Sequence, residues 1–188
     1  MICPVTPLLL TDTASLYFRA FYGVPTSVTA PDGRPVNAVH GFVDTLARLV
    51  ADRRPGRLVC CLDADWRPAF RVEALPSYKA HRVAGADGGE DVPADLVPQV
   101  PVLLEVLAAL GVAAVGVPGY EADDVIATLA AQGTGPIDVV TGDRDLFAVI
   151  DDDRQVRVLY VARGVARREV VDGTEVQRRY GVRPDQYA

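Results

Sequence analysis

Seven acidic residues stand where apolar runs give out. Asp12 closes PLLLTD and Asp63 closes RLVCCLD; Glu121, Asp123 and Asp124 follow the run ending at VGVPGY, and Asp143 and Asp145 follow IDVVT. Carboxylates gathered in one place could hold hard divalent cations, because all-oxygen donor sets favour Mg²⁺ or Mn²⁺ over zinc. With only two His (His40 and His81) and three scattered Cys, a zinc site is not expected. Each acid also has an ordinary explanation. Asp or Glu in a first helical turn meets the helix dipole favourably, and Asp after a strand is a common turn or capping residue. Those explanations do not call for the same arrangement four times. Unit like charges 4 Å apart repel by roughly 4 kcal/mol at an effective dielectric near 20. Seven in one cleft would raise one another's pKa values and strain the fold unless cations sat among them.

Basic and aromatic residues follow the second acidic position, in DWRPAFRVEALPSYKAHRV. Arg67, Arg71, Lys79 and Arg82, interleaved with Trp66, Phe70 and Tyr78, suit phosphate contacts and base stacking. A solvated helix with core aromatics is the plainer alternative, and it is preferred for Trp66 and Arg67. Lys79 is the single lysine among 19 basic residues, which hints at a role that a guanidinium cannot fill. The net charge of −6 argues, taken alone, against a nucleic-acid partner. Yet seven of the 25 acidic residues belong to the cluster, leaving 18 against 19 Lys and Arg. Bound cations would invert the field inside the cluster.

The elements that must position these residues alternate. Pro7–Asp12, Arg57–Asp63, Val112–Val117, Ile137–Thr141 and Val156–Val161 read as buried strands. Ala14–Tyr22, Asn37–Arg53, Pro93–Leu110, Glu121–Gln132, Asp143–Ile150 and Thr174–Tyr180 read as helices. Strand–helix alternation with continuous apolar strands predicts an α/β domain: a mostly parallel central sheet with helices on both faces. Open sheets of this kind bind ligands outside the carboxyl ends of their strands, where the acids fall. The 188 residues suit one domain. The stretch Lys79–Pro93 is polar and Gly-rich and is expected to be a mobile loop.

Other classes are disfavoured. No run of 18 or more apolar residues is present, so no membrane span is expected. The N-terminus lacks the basic start of a signal peptide. Cys3, Cys60 and Cys61 form no disulfide framework, and a reducing cytoplasmic setting is expected. Without an apolar patch or heptad, a monomer is expected.

Together these segments resemble a known family: the 5′→3′ exonuclease domain of bacterial DNA polymerase I and its free-standing flap-endonuclease relatives, which are PIN-like. The likeness runs through LLLTDTASLYFRAF, GRPVNAVHGF, LVCCLDADWRPAFR, LPSYKAHR, VPGYEADDVIATLA, VVTGDRDLF and RRYGVRPDQ. The order YKAHR, then GYEADD, then TGDRDL is the specific part. The resemblance implies that Asp12, Asp63, Glu121, Asp123, Asp124, Asp143 and Asp145 are metal-site carboxylates for two or more Mg²⁺ or Mn²⁺ ions. It implies that Lys79 and Arg82, at the base of an arch loop, hold the scissile phosphate. Arg19, Arg71, Tyr78 and Phe18 fall at positions near DNA, with Phe18 close to the terminal bases. The partners implied are DNA 5′ ends and 5′ flaps in the bacterial nucleoid, beside a DNA polymerase and a ligase.

Departures exist. Thr13 and Ala14 replace a Gly-Ser pair, Asp65 and Trp66 replace a basic residue and a glycine, and Arg144 replaces a lysine. The loop after Arg82 is longer and more acidic than usual. The family's further Gly-Asp-x-Ser-Asp-Asn segment and helix–three-turn–helix part are expected to be absent. Hence a DNA-binding remnant that does not hydrolyse stays open. A haloacid-dehalogenase-type phosphatase is a more distant alternative, since LVCCLDADW supplies Asp-x-Asp after a strand, but it leaves GYEADD unused. A purely structural domain, with the acids serving as caps, is a further one.

Overall fold

The computed structural model describes residues 6–84 and 89–187; Cys3 and part of the Lys79–Pro93 loop lie outside them. The chain runs β1 (Leu8–Asp12), α1 (Thr13–Gly23), α2 (Asn37–Arg53), β2 (Arg57–Cys61), α3 (Ala69–Ala74), β3 (Val83–Ala84), β4 (Gly89–Glu90) and α4 (Gln99–Ala109). It continues through β5 (Ala113–Val115), α5 (Ala122–Gln132), β6 (Ile137–Thr141), β7 (Val156–Tyr160), β8 (Glu169–Val171) and α6 (Gly173–Tyr180).

Six strands form one sheet in the order β5-β2-β1-β6-β7-β8. Five are parallel, and β8 joins β7 antiparallel at the edge. The central strands are buried on both faces, which is why they read as unbroken apolar runs. Alternation sorts their side chains. Leu9, Cys60, Val140 and Leu159 pack against α1, α2 and α4 on one face. Leu8, Leu10, Cys61, Ile137, Val139 and Val158 pack against α5 and the Leu146–Phe147 turn on the other. Cys60 and Cys61 are buried free thiols, small hydrophobes on opposite faces. Close approach of α1 and α2 requires Gly41, where a methyl would lie 2.9 Å from Ala20 Cβ. Buried Gln99 ties α4 to α2, accepting from the Ala38 N–H at 3.0 Å and donating to Asn37 Oδ1 at 3.0 Å.

Several elements differ from expectation. The helix expected over Pro93–Leu110 starts only at Gln99, with turns before it, because Pro93 and Pro98 interrupt the first stretch. The helix expected over Asp143–Ile150 is a 3₁₀ segment, Asp145–Val149. The third strand is three residues long rather than six, at an exposed sheet edge. The short helix α3 and the edge strand β8 carry too little periodicity to be read in advance. In the expected loop, Ala80–Arg82 form a 3₁₀ turn, and β3 and β4 pair antiparallel with Val83 opposite Glu90. Among the described residues no helix is long and apolar enough to cross a membrane.

Candidate active site

The topology fixes where the acids meet. β1 hands the chain to β2 on one side, while β6 lies on its other side, and such a switch point opens a crevice at the strand carboxyl ends. Asp12 is the last residue of β1 and caps α1, accepting from the Ser15 N–H at 3.1 Å. Thr141, the last residue of β6, donates its hydroxyl to Asp12 Oδ2 at 2.7 Å. The same Thr141 oxygen accepts from the Asp143 N–H at 2.9 Å, so one hydroxyl joins two of the acidic positions. Asp63 lies two residues beyond β2 and accepts from the Ala122 N–H at 2.7 Å, at the start of α5. Glu121 precedes that helix and is buried, 3% exposed.

Asp12, Asp63, Glu121, Asp123 and Asp143 line one cleft of about 790 Å³ together with Lys79, Arg82, Phe18 and Arg19. Nine of the thirteen expected site residues therefore share a single cavity. Asp124, Asp145, Arg71 and Tyr78 do not line it. Asp124 accepts from the Glu121 N–H at 3.0 Å and from Arg71 at 2.7 Å, so it closes the start of α5 instead. Asp145 opens the 3₁₀ segment with its N–H on Asp143 Oδ1 at 3.0 Å, and its side chain stays outside.

Glu121 is the hub of the basic side. Tyr78 donates its hydroxyl to Oε2 at 2.6 Å, and Lys79 pairs with Oε1. Arg71 Nε lies 2.9 Å from Oε2 but off its N–H direction, so that contact is an ion pair and not a hydrogen bond. Lys79 holds a left-handed backbone (φ 47°) and pairs with Glu121. Arg19 is anchored by donation to the Ala162 carbonyl at 2.9 Å. Its guanidinium fills the space beside Gly142, where any side chain would collide with it.

Burial, and secondarily crowding of like charges, raises the cleft acids. Burial, with Asp12, Asp143, Asp63 and Glu121 nearby, raises Asp123 to about 7. Burial also raises Asp12 to about 6; the Thr141 and Ser15 hydrogen bonds oppose it, and Asp63 and Asp143 add to it. Asp63 is raised by burial, partly offset by the Ala122 N–H. Asp63 is open to solvent from the cleft yet ringed by protein. Among the described residues, no three carboxylate, His or Cys side chains converge on a single ion-sized point. The acids share a cleft without forming a closed coordination shell.

Residues 7–181 match the family described as the 5′-3′ exonuclease, N-terminal resolvase-like domain. The chain belongs to this 5′-3′ exonuclease family. It is 60% identical over 185 residues to the 5′-3′ exonuclease of Streptomyces coelicolor, covering 96% of this chain and 61% of that protein. It is 39% identical over 184 residues to DNA polymerase I of Mycobacterium tuberculosis, covering 96% of this chain and 19% of that protein. The chain thus spans about three fifths of the length of the first curated relative. The fold resembles a bacteriophage T5 flap endonuclease, solved as a pseudo-enzyme–product complex with DNA and metal ions: TM-score 0.67, 17% identity, 96% of this chain and 63% of that one. Membership in the exonuclease family removes the dehalogenase-type phosphatase reading.

Within this family domain, sequence reasoning passed over Ser15, Thr141, Tyr22, Glu90 and Asp91. Thr141 had a signal, since VVTGD puts a hydroxyl at the strand end next to Asp143. Glu90 and Asp91 line the cleft from β4 and the residue after it. They had none, because only the pairing of Val83 with Glu90 brings them to the cleft.

Proposed function

We propose that this chain is the catalytic domain of a metal-dependent nuclease that hydrolyses DNA phosphodiester bonds at 5′ ends and 5′ flaps. The observation that carries this is one cleft in which acids from the ends of separate strands face Lys79 and Arg82. The strongly raised Asp12 and Asp123 are those that a cation would best stabilise in the ionised form. Their oxygen-only chemistry fits Mg²⁺ or Mn²⁺, and an open arrangement fits ions that keep several waters. The relative crystallised with DNA and metal ions supports the same reading.

Asp12, Asp63, Asp123 and Asp143 would hold the ions, with Glu121 beside them, while Asp124 braces the start of α5 and Asp145 lies outside the cleft. Two bound ions would supply a water of lowered pKa and neutralise charge on the leaving 3′ oxygen. The chain's own residues do the rest. Lys79 and Arg82 bind the scissile phosphate and stabilise charge building on its oxygens. Arg19, fixed by Ala162, holds a neighbouring phosphate. Phe18 offers a face to a terminal base. Arg71 and Tyr78 hold Glu121 in place instead of meeting DNA directly. The products carry 5′ phosphates, as a step in replication or repair beside a polymerase and a ligase.

The deciding experiment is cleavage of a 5′-end-labelled flap duplex in Mg²⁺ or Mn²⁺, with Asp143→Ala alongside. Short labelled products from the unmodified chain alone support hydrolysis. Flap binding without any cleavage would make this chain a DNA-binding module and sink the catalytic reading.

A further inference from the structure

Tyr22 stands at the mouth of the acidic cleft and takes no part in the core. It is 73% exposed, the most open of the large apolar side chains among the described residues. A tyrosine ring left in water forgoes much of the stabilisation that burial brings, so its position calls for a use. It lines the cleft together with Phe18 and Arg19. Phe18 precedes it by four residues on α1, which is ~6 Å of axial rise and a return to the same helix face. The two rings therefore follow one another along one wall.

The surroundings keep the Tyr22 ring oriented and reachable. Phe21 meets it edge to face, with centroids 5.2 Å apart and planes at 82°. Gly23 and Gly164 also line the rim, and a methyl on either would meet nothing within 4 Å. Lys79 and Arg82, the cations suited to phosphate, line the same cleft. A flat ring, partly braced, beside open space and in a cleft that also holds cations has the chemistry of a base-stacking platform.

We propose that Tyr22, together with Phe18, stacks against one unpaired nucleobase of the strand whose phosphate enters the cleft. Tyr22 is then a specificity residue that favours single-stranded 5′ segments over paired ends, because a paired base has its faces covered by its neighbours. Stacking of this kind is tolerant of base identity. The proposal rests on the DNA reading of the cleft given above.

The test uses flap duplexes carrying 2-aminopurine at successive flap positions, bound in Ca²⁺, whose looser coordination differs from that of Mg²⁺. The unmodified chain, Tyr22→Ala and Tyr22→Phe are compared. Quenching at one flap position by the unmodified chain and Tyr22→Phe, absent in Tyr22→Ala, is expected. Flap affinity should fall about tenfold in Tyr22→Ala and recover in Tyr22→Phe, while affinity for fully paired DNA stays level. Equal quenching and equal affinity in all three proteins would overturn the role of Tyr22 and leave the DNA reading standing. Absence of DNA binding in every sample would overturn both.

Discussion

Tyr78 donates its hydroxyl to Glu121 at 2.6 Å, and the next residue, Lys79, pairs with the other oxygen of the same carboxylate. Two consecutive residues before the β3–β4 hairpin are thus tied to the residue that opens α5. Glu121 holds the base of the hairpin against the acids, whatever else it binds.

Removing the tyrosine hydroxyl should loosen that tie. In Tyr78→Phe the lost bond to a charged group is worth about 1.5–3 kcal/mol at most, and Lys79 and Arg71 remain on Glu121. A melting temperature lowered by a few degrees is expected, with flap cleavage reduced several-fold. A wild-type melting curve and cleavage rate would mean that Tyr78 positions nothing.

Lys79 should matter to rate more than to binding. Lys79→Ala is expected to cut flap cleavage by ~100-fold or more, as loss of a group stabilising transition-state charge does. Flap affinity should change by only a few-fold, since Arg82 and Arg19 stay in the cleft. Lys79→Arg should recover part of the rate, because the planar guanidinium places its charge differently. Single-turnover rates set beside binding curves separate the two effects.

Raised carboxyl pKa values make the metal-free domain less stable as pH rises. Asp12 and Asp123 move from 3.8 to about 6 and about 7, so between pH 4 and 7 the folded state holds more protons than the unfolded one. Stability must then fall as pH rises through that window. The combined effect is on the order of a few kcal/mol. Calorimetry in chelator should show the melting temperature dropping from pH 5 to pH 8, and Mg²⁺ should restore it more at pH 8 than at pH 5. A flat profile in chelator would show that Asp12 and Asp123 are not raised in the folded state.

Gly142→Ala isolates the placement of Arg19. The added methyl would press on the Arg19 guanidinium, the far end of a flexible side chain that can swing away. Stability should change by less than about 1 kcal/mol, while DNA affinity weakens and the salt dependence of binding becomes shallower by about one phosphate contact. Unchanged affinity and salt slope would remove Arg19 from the DNA surface.

Asp138 tests the frame and not the cleft. It is fully buried on β6 and paired with Arg53 at 2.8 Å and Arg157 at 2.7 Å. Asp138→Asn leaves two cations short of a partner and should cost roughly 3–5 kcal/mol. Cleavage measured well below the melting temperature should be nearly unchanged. A cleavage loss without a stability loss would put Asp138 in the site.

The sequence alone determined the sheet and the level at which the acids emerge. Buried parallel strands are largely apolar, so LLLTD, RLVCC and IDVVT announced themselves; an acid closes the first and stands two residues beyond each of the others. β5 was legible as part of the longer run Val112–Val117, while three-residue β8 is too short for periodicity to register. What tertiary structure decided was which acids face inward. Asp123 and Asp124 are adjacent on one helix, where successive side chains point about 100° apart. One enters the cleft, and the other turns to Arg71 and the start of α5. Asp138, in sequence one more strand residue, became a buried ion-pair centre because α2 supplies Arg53 from 85 residues away and the neighbouring strand β7 supplies Arg157. Glu90, Asp91 and Tyr22 reached the cleft through hairpin pairing and helix phase. Spacing along a sequence does not encode either, because both depend on which elements pack together.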